Sequence, residues 1–211
     1  SVTWSLDENM VIWGTVQDVT LSNNLVAEAL RTSIHVDEIS SNPDHSMGLY
    51  VGRKDGLPNS RRITIVRNLL ASNEFRNASI RGADDVEFSN NFVINHGDGQ
   101  LGLNIGDGNG KKDHLVSVAA FGNVYEDGPD TGGGGGLPPI RLNGKTGSKV
   151  YLEDNLLENH QKDEHWGRTS NLVNAPFFTA SNYQPLPSSQ VRDLVFANAG
   201  ARLAGKGLDV V

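Results

Sequence analysis

Two arginines five residues apart, Arg76 and Arg81, are the side chains of this 211-residue chain best placed to do chemistry on an anion. They close a segment, residues 53–81, with seven basic and two acidic side chains, so its net charge is +5. The whole chain carries −7, which leaves −12 for the remainder. A local positive patch in an acidic protein is suited to capturing a polyanion. The charge pattern alone fits a solvated basic face equally well.

The elements that must position these arginines show up as repeats in the sequence. Four strings share one pattern, in which alternating apolar residues are followed by an asparagine and two more apolar residues. They cover residues 19–26, 63–70, 86–93 and 150–157, and a looser copy ends at Tyr125. Alternation with a period of two, in β-branched and aromatic residues, predicts strands.

The repeated asparagines are spaced 44, 23, 32 and 32 residues apart. They are Asn24, Asn68, Asn91, Asn123 and Asn155. Constant strands with variable loops predict a solenoid. Its stacked coils would place the asparagines one above another, where their amides satisfy each other, and asparagine also tolerates a left-handed turn. The alternative is an antiparallel sandwich, but hairpin signals such as Asn143-Gly144 are rare between these strands.

A glycine-rich stretch and several histidines are weaker candidates for a site. Gly97–Gly102 matches the dinucleotide-binding fingerprint, but more glycine follows where a helix is required. His160 and His165 lack the ligand spacing of a zinc site. His45 lies beside Ser46, yet no acidic partner can be assigned to orient it. We therefore predict none of these three sites.

Taken in order, several segments resemble the pectate lyase family. They are Trp4–Glu8, Asp18–Leu21, Glu28–Leu30, His45–Gly52, Arg67–Leu70, Arg76–Arg81, Asn90–Val93, Gly122–Pro129 and Val195–Ala201. The resemblance covers nearly the whole chain. It implies an all-β fold, a right-handed parallel β-helix, with residues 1–211 as one domain that starts partway through the family's β-helix. The apolar spacing near the end of the chain predicts a short helical cap over residues 189–204.

The resemblance also implies an activity. Pectate lyases cleave α-1,4-polygalacturonate by calcium-assisted β-elimination. By resemblance Arg76 is the catalytic base, Arg81 binds the substrate carboxylate, and Asp7 and Glu8 belong to the Ca²⁺ site. Strand alternation points two adjacent carboxylates to opposite sides, which favours Asp7 as the ligand. The pKa of free arginine lies far above neutral pH, and the positive charges of Arg81 and calcium would lower the pKa of Arg76.

Two positions depart from the family pattern. Ala78 replaces a proline of the family motif around the base, and Met47 replaces a lysine that binds substrate. Lys54 and Arg62 are the predicted substitutes for that lysine, with Arg53 a further candidate. Two other functions therefore stay open: a non-catalytic β-helix or adhesin that binds acidic glycans, and a lyase acting on another uronate polymer.

Composition limits the remaining classes. The chain has no cysteine, so disulfides and thiolate chemistry are excluded. No apolar run is long enough to span a membrane, and residues 1–5 read as a strand, not as a leader peptide. We expect an extracellular monomer whose partner is an acidic polysaccharide, and neither a nucleic acid nor a membrane.

Overall fold

The computed structural model describes residues 1–31, 46–97, 102–106, 114–132, 136–180 and 183–201. His45, residues 98–101 of the dinucleotide-like motif and residues 202–204 of the predicted cap lie outside the described residues. Within these described ranges, seventeen strands, numbered in chain order, make up three sheets.

Each sheet takes every third strand of the chain. Sheet A contains β1 (Val2–Thr3), β4 (Leu25–Ala27), β7 (Leu69–Ala71), β10 (Phe92–Ile94), β13 (Val124–Glu126) and β16 (Leu156–Leu157). Sheet B contains β2 (Glu8–Trp13), β5 (Met47–Gly52), β8 (Phe75–Ile80), β11 (Leu103–Ile105), β14 (Ile140–Leu142) and β17 (Trp166–Gly167). Sheet C contains β3 (Gln17–Ser22), β6 (Ser60–Val66), β9 (Ala83–Ser89), β12 (Ser117–Phe121) and β15 (Lys149–Glu153).

Neighbouring strands within each sheet pair in parallel. The chain visits the three sheets in turn and then moves one strand along, which is the topology of a parallel β-helix. The predicted all-β solenoid is therefore confirmed, and the alternative sandwich is wrong. Stacking in register works here because the same apolar pattern recurs in every coil, so like residues lie above one another.

The core runs along the inside of the three sheets. Its fully buried side chains include Leu49, Ile63, Ile80, Phe88 and Leu103. A second, smaller cluster covers the outer face of sheet A. There the helix α1 (Val191–Asn198) packs on Phe92 through Val191 and Val195, which are both fully buried.

The helix α1 and two 3₁₀ turns, Thr169–Asn171 and Ser188–Gln190, are the helical elements of the described residues. None of the helices in this part of the chain is long and apolar enough to cross a membrane.

The five repeated asparagines form a continuous ladder. The Nδ2 group of Asn24, Asn68, Asn91 and Asn123 donates to the Oδ1 atom of the next asparagine at 2.7–3.1 Å. Asn155 ends the ladder by donating to a carboxylate oxygen of Asp163 at 2.6 Å. The predicted mutual satisfaction of the amides is confirmed.

The left-handed backbone at these turns lies one residue earlier than the ladder itself. The residues immediately before the five ladder asparagines have φ of 50–57°. They are Asn23, Arg67, Asn90, Gly122 and Asp154. The ladder asparagines therefore do not owe their place to left-handed tolerance. They are needed because each amide bonds to the backbone N–H and the amide of its neighbours within a buried turn.

Candidate active site

The candidate site lies on the outer face of sheet B. Ile12, Val51 and Ile80 share one register row and point into the core. Because side chains alternate along a strand, the adjacent row points outward. That outer row of sheet B consists of Val11, Tyr50, Ser79, Asn104, Arg141 and Trp166. It follows the long axis of the β-helix, with neighbouring residues about 4.8 Å apart.

Arg76 lies at the start of β8, where the backbone is irregular. Its φ is +59°, and the register between β5 and β8 shifts by one residue between Leu49 and Tyr50. Bulges of this kind redirect side chains and occur next to active sites. Gly48 is required here, because a Cβ at that position would lie 2.9 Å from the Arg76 carbonyl oxygen.

A second, shorter set of asparagines fixes this backbone from the inside. Asn9 donates to Asn73 at 3.0 Å, and Asn73 donates to Asn77 at 3.0 Å. Asn77 returns a hydrogen bond to the Asn73 carbonyl at 2.9 Å. All three side chains are buried. The residue next to Arg76 is thus held by buried hydrogen bonds, so the position of Arg76 is defined by the core and not by a loop.

The surroundings of Arg76 change its acidity. Its side chain is 24% exposed and forms an ion pair with Glu8 of β2. Burial lowers the pKa of Arg76 to about 10, the positive charge of Arg81 acts in the same direction, and the negative charge of Asp7 opposes them. The contact with Glu8 also favours the charged guanidinium, since a nearby carboxylate stabilises a cation.

Arg81 follows β8 and shares its surroundings with Arg76. Its Nε atom donates to the Ser79 hydroxyl at 3.1 Å. The Cζ atoms of Arg76 and Arg81 lie 4.8 and 5.6 Å from the centroid of the Tyr50 ring. The Trp13 ring stacks on Tyr50 with centroids 5.7 Å apart. The structure therefore brings both predicted arginines together on one aromatic ring.

The other predicted residues fall into two groups. Asp7 and Glu8 lie beside Arg76, where Glu8 forms the ion pair with its guanidinium and the charge of Asp7 raises its pKa. Lys54 is exposed in the turn between sheets B and C. Arg62 lies on sheet C, where its Nε atom donates to Asp18 at 2.6 Å and holds the pKa of Asp18 below its ordinary value.

The turn that carries Lys54 also contains a residue closer to the site. A Cβ on Gly82 would lie 2.8 Å from Cγ of Arg53, so the Arg53 side chain crosses the backbone immediately after Arg81. Its Nε atom is buried without a hydrogen-bond partner. Arg53 is therefore better placed than Lys54 or Arg62 to add positive charge beside Arg81.

A complete calcium site cannot be assembled from the residues the structure describes. Calcium takes six to eight oxygen ligands, and within the described ranges no group of three or more His, Cys, Asp or Glu side chains could hold a metal ion. Asp7 and Glu8 supply two hard carboxylates next to Arg76. Their oxygen atoms are ligands of the kind that calcium prefers, but two carboxylates are too few to complete its coordination.

Sequence reasoning missed Tyr50 and Trp13. Tyr50 stands inside the His45–Gly52 motif, and Trp13 ends the strand that begins with Glu8. The available signal was the alternation of these two strands, which already places Tyr50 opposite the buried Leu49 and Val51. What alternation could not give is the pairing of β2 with β5, which brings the two rings together.

These features define a class of protein: a parallel β-helix with paired arginines on the outer face of one sheet. The chain is 26% identical over 220 residues to a protein of Emericella nidulans named Probable pectate lyase C, a match that covers 99% of this chain and 44% of that protein. Proteins of the same name from Aspergillus flavus and Aspergillus terreus are 32% identical over 131 residues, or 62% of this chain and 25% of each relative.

The chain thus spans less than half the length of these curated relatives. No protein-family model matches it. The similarities, which together cover nearly the whole chain, show that it is related to the pectate lyases, and the family resemblance found in the sequence is confirmed.

Proposed function

We propose that this chain is a polysaccharide lyase that cleaves α-1,4-polygalacturonate by β-elimination on the outer face of sheet B. The observation that carries the proposal is the pair of arginines on Tyr50, one of which has a pKa lowered to about 10. The relationship to proteins named pectate lyases supports the choice of polymer. Since such a polymer is a plant cell-wall material, the proposal includes secretion.

The elimination needs two functions, and the two arginines divide them. Arg81 binds the carboxylate of the uronate, which makes the neighbouring C5–H bond more acidic as negative charge develops. A neutral Arg76 removes the C5 proton. The C–H electron pair becomes the C4–C5 double bond, and the C4–O bond breaks so that the leaving sugar oxygen departs and takes a proton from solvent.

Glu8 regulates how easily Arg76 can act as a base. The carboxylate stabilises the protonated guanidinium, so the neutral form requires this contact to loosen. Calcium, held in part by Asp7 and Glu8, would neutralise the substrate carboxylate when bound. Further oxygen ligands would have to come from outside the described residues.

The lowered pKa of Arg76 predicts how activity depends on pH. Only the neutral form is a base, so kcat rises about tenfold per pH unit from about pH 7 and levels off near the pKa of about 10. Glu8→Gln removes a carboxylate that favours the charged form of Arg76. The pKa of Arg76 should therefore fall, and the rise of kcat should shift to lower pH. Initial rates of the wild type and of Glu8→Gln at a series of pH values give this pH dependence of kcat, and circular dichroism at each pH checks that the protein is folded. A bell-shaped pH profile of kcat centred near neutral pH would contradict an arginine base.

The proposed reaction is tested by its product. We expect polygalacturonate incubated with the protein and calcium to gain the ultraviolet absorbance of a C4–C5 double bond, and a chelator to abolish this gain. Binding of the polymer without any absorbance change would support a glycan-binding β-helix instead. One observation favours this glycan-binding function. Met47 lies between Glu8 and Phe75 on sheet B, beside the site, and methionine cannot bind a carboxylate.

A further inference from the structure

The Tyr50 ring is the common contact of the two arginines and is itself fixed on several sides. Its strand places it between Val11 and Ser79 in the outer row of sheet B. It is half-buried, although it points out of the core. Trp13, half exposed at 50%, stacks on it at an interplanar angle of 30°.

Gly52 is the residue that permits this orientation of the ring. A Cβ built on Gly52 would lie 2.7 Å from both Cζ and Oη of Tyr50. No side chain can occupy that space without moving the ring. The tyrosine ring therefore extends over the backbone of its own strand at Gly52, and the guanidinium groups of Arg76 and Arg81 lie near its centroid.

Two like charges close together repel each other, and a long side chain such as arginine has many other rotamers. An aromatic face attracts cations within about 6 Å of the ring centroid. Both arginine Cζ atoms meet that distance at Tyr50. The ring thus offsets the repulsion and restricts both side chains to one place.

We propose that Tyr50 is a positioning residue that holds Arg76 and Arg81 side by side on the outer face of sheet B, ready to engage one uronate. The inference rests on the proposed function for its effect on turnover, but the positioning itself can be measured without turnover. The competing role for this ring is a platform on which a sugar stacks, together with Trp13.

The kinetic test compares Tyr50→Leu, which removes the ring, with Tyr50→Phe, which keeps it. We expect Tyr50→Leu to lower kcat on polygalacturonate by roughly 100-fold, the effect of a small misplacement of catalytic groups. KM should change by less than about threefold, because a positioning role acts on the transition state more than on binding. Tyr50→Phe should retain near wild-type kcat.

Gly52→Ala gives an independent variant if Tyr50→Leu does not fold. It leaves the tyrosine in the sequence but displaces its ring, so it should lower kcat in the same way. Tyr151→Leu is the matched control, since Tyr151 is also half-buried but lies on sheet C. An increase in KM alone for Tyr50→Leu and Trp13→Leu would overturn the proposal in favour of a sugar platform. Unchanged kinetics in all of these variants would overturn it as well.

A spectroscopic measurement separates this proposal from the proposed function. Side-chain Nε–Hε signals of Arg76 and Arg81, assigned with Arg76→Lys and Arg81→Lys, should be shifted by the ring current of Tyr50. Tyr50→Leu should move both signals and Tyr50→Phe neither. If the wild type shows these shifts and no lyase activity, only the proposed function fails. If Tyr50→Leu moves neither signal, the positioning role is wrong whatever the activity.

Discussion

Arg76→Lys is expected to lower kcat on polygalacturonate by roughly 10²–10⁴-fold, the usual contribution of a general base. Lysine can still pair with Glu8 and is the easier of the two to deprotonate, but it lacks the planar fork that lies over Tyr50, so the base is no longer held in the same place. The loss should fall on kcat more than on KM, because Arg81 remains to bind the carboxylate. Initial rates at several substrate concentrations, measured by absorbance of the unsaturated product, give both parameters.

Arg192→Lys is the matched control for this substitution. Arg192 also pairs with a carboxylate, that of Glu126 at 2.9 Å, and lies over the Phe196 ring at 5.1 Å. It stands on α1, against the outer face of sheet A, so it should leave kcat unchanged. Equal activity of Arg76→Lys and the wild type would contradict a guanidinium base at this position.

The largest expected effect on stability comes from the asparagine ladder. Asn123→Ala removes the acceptor for Asn91 and the donor for both the Phe88 carbonyl and Asn155. Each buried polar group left without a partner costs about 1–3 kcal/mol. We therefore expect the free energy of unfolding to fall by about 3 kcal/mol or more, measured by urea denaturation.

Asn198→Ala is the control for the ladder variant. Asn198 is exposed at the end of α1, and its side chain donates one hydrogen bond to the Leu194 carbonyl. Loss of this hydrogen bond should change the free energy of unfolding by no more than about 0.5 kcal/mol, as most surface substitutions do. A similar small cost for both variants would mean that water or a local rearrangement satisfies the ladder, and that the asparagines do not hold the coils in register.

The repeated pattern was enough to predict the coils and their ladder, because both depend on local alternation and on one polar residue per turn. Asn68 and Asn91 could be aligned from the sequence alone for this reason. The left-handed residue lies one position earlier than the ladder, on Arg67 and Asn90, and at Arg67 the residue type gives no signal for it because arginine does not favour positive φ.

The site was predicted less completely, for a geometric reason. In a three-sheet coil, which face a residue occupies depends on the length of the turns before it. Charge therefore singled out Arg62 together with Arg76, although the structure puts Arg62 on sheet C. The contact of Tyr50 with both arginines also depends on a register shift after Leu49, which no periodicity in the sequence reveals.

The most direct measurement of the central claim is a structure of the Arg76→Lys variant with an oligogalacturonate. We predict that the sugar chain lies along the outer row of sheet B, with one carboxylate on Arg81 and its C5–H directed at residue 76. An oligosaccharide bound elsewhere, such as on sheet C beside Arg67 and Tyr183, or on sheet B with Arg81 turned away from every carboxylate, would contradict the proposed site.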